Sequence, residues 1–286
     1  MRASGLEPIH ARLDRLERFS HGARATYIGN NRVLVKVVVA DNVIAYFVEA
    51  DDLLISPWFI VNGAYETHPT NYFLRTLRPD SHCLDIGSNF GYFACLMARF
   101  CPAGRVIAIE PDRHVFELVR DNLAINGFTD HAQAIHAAAC DHDQGLTLHR
   151  RVKRSGNTSL ISVGTDFTDH MGEPAAEQFD VASVRVDGLL PRLDGRVDVM
   201  KIDVEGAEPL VFRGAAETIA RNPQVRIVME WSPGQIQGAG FDVAAFVREI
   251  AAHGLQFHAM DRKRIWPVSA DELLAMPYQA GIVLAR

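Results

Sequence analysis

Several features that would assign the 286-residue chain to a common class are missing. It has only four cysteines, Cys83, Cys95, Cys101 and Cys140, with no C-x-x-C spacing and all in apolar stretches. That excludes a disulfide scaffold and predicts buried, reduced thiols. There is no run of eighteen apolar residues and no apolar stretch of signal-peptide kind near residue 1, so neither a membrane span nor a secretory leader is expected. Glu7, Asp14 and Glu17 argue against a transit peptide, and the expected location is the cytoplasm. Excess positive charge is missing too: 29 Lys and Arg face 35 Asp and Glu, a formal charge of -6. A general nucleic-acid binder would need the opposite balance to displace counterions. No internal repeat or low-complexity tract occurs, and no G-x-G-x-x-G stands at the first strand-to-helix turn.

What is present is alternation. From about residue 82, short apolar runs at 82–86, 105–110, 132–137, 198–203 and 226–230 read as strands, with helical patterns at 90–100, 113–126 and 207–221 between them. This predicts an α/β, Rossmann-like fold, a doubly wound and mostly parallel sheet. Residues 1–62 read as a small cap. Leu6, Ile9, Leu13 and Leu16 form one face of a short helix that would pack on the body or on another subunit, a homo-oligomer contact. Two strand-like runs, 32–39 and 43–49, follow around Ala40-Asp41-Asn42 as a hairpin. The main domain is then 63–286, led in by a helix over 69–77. Its tail holds a helix opened by Asp242 and closed at Gly254, strands at 256–260 and 281–285, and a capping box at Ser269-Ala270-Asp271-Glu272. An excursion over 145–190 is too long for a simple connection. Its runs 146–149 and 181–186 predict an inserted hairpin near the ligand-binding end of the sheet.

The chemistry is concentrated at strand ends. Leu84-Asp85-Ile86-Gly87-Ser88-Asn89-Phe90-Gly91 puts a carboxylate two positions before a glycine loop. A pyrophosphate would be repelled there, whereas a ligand carrying a sulfonium and an ammonium would be attracted, which points to S-adenosylmethionine. Gly87 and Gly91 would let the backbone approach it, with Ser88 and Asn89 offering donors and acceptors. Glu110, at the next strand tip before Pro111, would accept both ribose hydroxyls, or else serve as a helix-start acid. Ala137, Ala138 and Ala139 would admit a flat adenine, or merely pack a sheet end. Asp141-His142-Asp143 lacks a second cluster at ligand spacing, so no metal ligands are assigned.

In Lys201-Ile202-Asp203-Val204-Glu205-Gly206-Ala207-Glu208 a buried strand ends in acids. Asp203 would face the transferable methyl or the cofactor amine, and Asp203, Glu205 and Glu230, in that order, are the candidate general bases. Glu208 reads as a helix-start bystander. Trp231 offers a stacking face or belongs to the core, and Tyr65-Glu66 would fold over the pocket. The cations Arg150, Arg151, Lys153 and Arg154 would meet an anionic acceptor or form a solvated loop.

Together these segments resemble the FkbM family of methyltransferases. The resemblance rests on 84–92, on Ala108-Ile109-Glu110-Pro111-Asp112, on Asn122-Leu123-Ala124-Ile125-Asn126-Gly127 and above all on 201–208, and covers about residues 62–232. Val184-Arg185-Val186-Asp187 departs from it by carrying Arg185 and Val186 for Thr and Leu, and Ser88 replaces a common Ala. The flanks, including Gly29-Asn30-Asn31-Arg32 and 229–233, look like a subgroup associated with glycan biosynthesis. The resemblance implies S-adenosylmethionine-dependent O-methylation of a sugar, glycan or natural-product hydroxyl. It also carries cofactor contact onto Asp85, Gly87, Asn89, Glu110 and Asp203. The rival readings are a nucleic-acid methyltransferase, a dehydrogenase and a non-catalytic cofactor-binding scaffold.

Overall fold

A computed structural model describes residues 24–154, 156, 158–160 and 176–286; the helix expected around Leu6 to Leu16 lies outside them. The centre is an eight-stranded sheet. Its parallel part runs β13 (Arg226–Trp231), β12 (Val199–Ile202), β4 (Cys83–Ile86), β5 (Val106–Glu110) and β6 (Ala132–His136). On the β13 side it continues antiparallel through β16 (Gln279–Ala285), β14 (Gln256–Met260) and β15 (Ile265–Val268). The strands that the apolar runs predicted are therefore present, within a residue or two. The edge strand β15, interrupted by Pro267, is an addition, as a proline is admitted at a sheet edge.

Because successive residues of a strand point to opposite faces, the two sides of the sheet bury different side chains. Cys83, Val106, Ala108, Val199 and Val228 enter one core, and Leu84, Ile86, Ile107, Ile109, Met200, Ile227 and Met229 the other. The first core is shared with the cap. There β1 (Arg24–Gly29), β2 (Arg32–Val39) and β3 (Asn42–Glu49) form an antiparallel sheet, one strand more than the expected hairpin. Val35, Val37, Ile44 and Tyr46, all buried, pack it against the helices Tyr92–Phe100 and Arg113–Ile125.

The outer edge of β3 is closed by two side-chain amides. Asn122 accepts from the Phe47 N–H at 2.6 Å and donates to its carbonyl at 3.0 Å. Asn126 does the same at Ala45, at 2.9 and 2.7 Å.

Two segments depart from the sequence expectation. The second strand of the inserted hairpin is β10 (Glu177–Val181), antiparallel to β8 (Leu146–Arg150), which also pairs with β9 (Thr158–Ser159), rather than 181–186. Val181 is needed beside Leu148 in a small apolar cluster, after which β11 (Ser183–Val184) turns away to pair in parallel with β7 (Ala138–Ala139). Residues Val186–Leu193 then form a 3-10 helix, docked by Asp187, which accepts from the Thr218 N–H and hydroxyl at 2.8 Å each. The helix expected over 207–221 breaks into Glu208–Gly214 and Ala216–Arg221. A helix over Ile55–Asn62, apolar on all sides and so without a readable period, completes the cap.

Candidate active site

At the carboxyl ends of β4, β5, β12 and β13 lies a cavity of about 430 Å³, where open α/β sheets place their ligands. Its floor is the loop after β4. Gly87 and Ser88 both donate to the Ile109 carbonyl at 3.0 Å, which folds the loop across the tip of β5. Gly87 has a φ of +73°, and a Cβ there would sit 1.7 Å from the Asp203 carbonyl oxygen, so the two strand tips meet only because this residue is glycine. Asn89 donates its N–H to Glu110 at 2.8 Å while its Oδ1 is buried without a partner. Ser88 Oγ is likewise buried and unpartnered.

Glu110 is buried, and its second oxygen accepts from the Asp112 N–H at 2.9 Å. Burial pushes its carboxyl up to about 8. Pro111 and Ala138 line the wall beside it.

The opposite wall is acidic. Asp203, Glu205 and Glu230 bring carboxylate oxygens within 4.8 Å of one another. Burial, reinforced by the Asp203 charge, pushes Glu205 up to about 8 and Glu230 up to about 10. Gln235 donates to Glu205, and Glu230 Oε2 is buried without a partner. Glu66, just before the helix Thr67–Thr76, lines the same cavity, and burial raises it to about 7 against the pull of Lys201. Glu66, Asn89 and Glu205 have φ values of 39°, 49° and 53°. Left-handed backbone in glutamates is uncommon, and strain of this kind gathers at functional sites.

Five expected site residues stand elsewhere. Asp85 is fully buried and does not line the cavity. Strand alternation sends it to the cap-side face with Cys83, opposite Lys201. Burial raises its carboxyl to about 6, opposed by Lys201. Gly91 faces Val119, whose Cγ1 would lie 3.1 Å from an added Cβ, and so serves helix packing instead of the cavity.

Trp231 is completely buried in the other core, because Glu230 before it points into the cavity and alternation turns the indole away. No stacking face is offered there.

The cationic stretch does not reach the cavity either. Arg150 pairs with Asp112 at 3.3 Å and with Glu177, and Arg151 is not among the lining residues. The described wall carries five carboxylates, Glu66, Glu110, Asp203, Glu205 and Glu230, against one cation, Lys201, so an anionic acceptor is not what this wall favours. Glu208 accepts from the Val204 and Gly206 N–H groups at 3.3 Å each, a turn-holding acid outside the cavity.

Tyr65 lines the cavity and packs edge-on against Phe90 and Tyr92.

Several lining residues have no site role legible in the sequence, among them Lys201, Gln235, Tyr278 and Trp58. Lys201 could have been noticed as a charge inside a strand buried on both faces, which requires a counter-charge. Gln235 follows the end of β13 and Tyr278 immediately precedes β16, with no motif to mark either. Trp58 sits on the helix that had no readable period. Trp58 and Tyr278 stand at the mouth, 62% and 57% exposed.

The family model described as "Methyltransferase FkbM domain" matches residues 85–257, and the chain belongs to that methyltransferase family. Among curated relatives, it is 26% identical over 218 residues to "Methyltransferase sdnD" of Sordaria araneosa, covering 66% of this chain and 83% of that one. It is 26% identical over 156 residues to "2-O-methyltransferase NoeI" of Sinorhizobium fredii, covering 50% of this chain and 61% of the relative. A crystal structure of a methyltransferase FkbM from Methylobacillus flagellatus superposes with a TM-score of 0.44 at 13% identity, covering 73% of this chain and 44% of that one.

Proposed function

We propose that the protein is an S-adenosylmethionine-dependent O-methyltransferase acting on a hydroxyl of a small uncharged acceptor, a sugar, glycan unit or natural product. The observation that carries this reading is the convergence of the glycine loop, Glu110 and Asp203 on one cavity in which five carboxylates face a single lysine. A sulfonium and an ammonium would favour the ionised forms of these acids and be stabilised by them, whereas a pyrophosphate would find Lys201 alone as a counter-charge. The residues fit such a donor. Ser88 and Asn89 present buried polar atoms without partners, Gly87 keeps the floor open, and Glu110 retains lone pairs for hydroxyl donors beyond the two amides it already holds. When bound, the donor supplies an electrophilic methyl group on sulfur.

The rest falls to the chain. Trp58 and Tyr278 at the mouth offer flat faces to a ring, and the absence of any second cation on the described wall supports a neutral acceptor. Glu230, unlike Asp203 and Glu205, has a buried oxygen with no partner, which suits it to receive the acceptor proton. Burial raises the Glu230 carboxyl to about 10 in the empty site, and a bound cation would favour its ionised, proton-accepting form. The name of the S. fredii relative, a 2-O-methyltransferase, supports transfer to oxygen. Four free and buried cysteines support a reducing, cytoplasmic setting.

Calorimetry with S-adenosylhomocysteine and NADH, followed by assay of S-adenosylhomocysteine release on a panel of neutral glycosides, tests the reading. Binding of NADH with none of the homocysteine product would overturn it.

A further inference from the structure

Lys201 lies in the middle of β12 with a side chain only 6% exposed. Its Nζ is 2.7 Å from Asp203 Oδ2 and 4.8 Å from the centre of the Phe93 ring. In the parallel register of β12 with β4 it stands directly opposite Asp85, whose carboxylate makes no side-chain hydrogen bond. Glu66 reaches the same volume from outside the sheet and lines the cavity with it. An ammonium removed from water costs several kcal/mol unless opposite charge surrounds it. Here that charge comes from three separate elements.

We infer that Lys201 is a positioning residue, the fixed cation that aims the Asp203 carboxylate into the cavity and lets Asp85, Asp203 and Glu66 share one small volume as anions. The inference rests on the methyltransferase reading, but it concerns a residue that reading leaves unused. A side chain tied to Asp203 and crowded by two further carboxylates stays protonated, so Lys201 is excluded as a base. Its pull lowers Glu66, Asp85 and Glu205 against the effect of burial, and without it these acids would retain protons to higher pH.

The charged and titratable groups facing this centre are Asp85 from β4, Tyr46 from β3, Tyr65 and Glu66 before the helix Thr67–Thr76, Tyr92 and Cys95 from the helix Tyr92–Phe100, Glu110 from β5, Asp203 and Glu205 after β12, Glu208 at the start of the helix Glu208–Gly214, Glu230 from β13 and Tyr278 before β16.

The test measures S-adenosylmethionine affinity from pH 5 to pH 9 for the wild type, Lys201→Met and Lys201→Arg, with folding checked by circular dichroism. The acid limb of the affinity profile is expected to move up by about 1–3 pH units in Lys201→Met, the range for loss of a close opposite charge. In Lys201→Arg it is expected to return towards the wild-type position. A lower plateau in Lys201→Met with an unmoved limb would reduce Lys201 to a packing role and overturn the inference.

Should Lys201→Met fail to fold, NMR of the wild type labelled at lysine decides. A slowly exchanging Lys201 ammonium still charged at pH 10 supports the inference, and one that titrates or exchanges freely there sinks it. A wild type that binds no S-adenosylmethionine at any pH would instead refute the methyltransferase reading.

Discussion

The backbone N–H of Asn89 donates to the Glu110 carboxyl across 2.8 Å, so the acid at the tip of β5 fixes the loop that follows β4. One carboxyl therefore has two duties, shaping the floor of the cavity and facing whatever enters it. Glu110→Ala is expected to weaken S-adenosylhomocysteine binding by about 1–3 kcal/mol, the cost of losing hydrogen bonds to a charged group. Glu110→Gln, which keeps one acceptor oxygen, should lose less. Equal affinities for all three proteins in calorimetry would place the ribose hydroxyls elsewhere.

The raised carboxyls give the empty protein a characteristic pH dependence. Glu110 and Glu205 near 8 and Glu230 near 10 hold protons in the folded state that the unfolded chain has already released above its ordinary value of 4.5. In that window the folded state binds more protons, so the contribution of these groups to stability falls as pH rises from about 5 to 8. A cationic donor favours the ionised acids, so its binding should release protons and tighten as pH rises. Calorimetry in buffers of different ionisation enthalpy reads the release directly, and proton uptake on binding would contradict the assignment.

Gly87 and Gly91 both have positive φ, yet they should not tolerate alanine equally. At Gly87 the added methyl meets the Asp203 backbone at 1.7 Å, whereas at Gly91 it meets a valine side chain at 3.1 Å that can yield a little. Both substitutions should destabilise by more than about 1 kcal/mol, from backbone strain alone. Gly87→Ala should be the worse, with donor binding lost alongside. Urea melts that rank them in the reverse order would show that the strand tips can separate cheaply.

Two tryptophans separate stability from recognition. Trp231→Ala empties a fully buried site and should cost about 3–5 kcal/mol in denaturant unfolding. Trp58→Ala, at an exposed position on the mouth, should leave stability within about 0.5 kcal/mol of the wild type. It should raise KM for a ring-bearing acceptor more than it lowers kcat. A Trp58→Ala enzyme with unchanged acceptor KM would remove this residue from the acceptor surface.

What the sequence made legible, and what it hid, follows from the burial of the sheet. Strands covered on both faces appear as apolar runs, which is why β4, β5, β12 and β13 and the acids at their tips could be placed from residue order alone. The same burial erases the alternation that would say which face a given residue takes. Asp85 therefore reads as a ligand contact but stands opposite Lys201 on the cap-side face, and Trp231, which reads equally as a stacking face or as core, lies in the core. The helix Ile55–Asn62 was hidden for a related reason, being apolar on every side. Glu66 and Glu205 could be picked out as acids, but their left-handed backbone is imposed by tertiary contacts that no local pattern encodes.

The paired amides of Asn122 and Asn126 along β3 carry a further implication for solubility and for engineering. A bare strand edge invites another chain to add to it, and here the invitation is withdrawn by two side chains of the helix that follows the Glu110 strand. Any chimera that transplants the three-stranded unit onto a different scaffold would have to bring both asparagines with it, or it would expose a template for self-assembly.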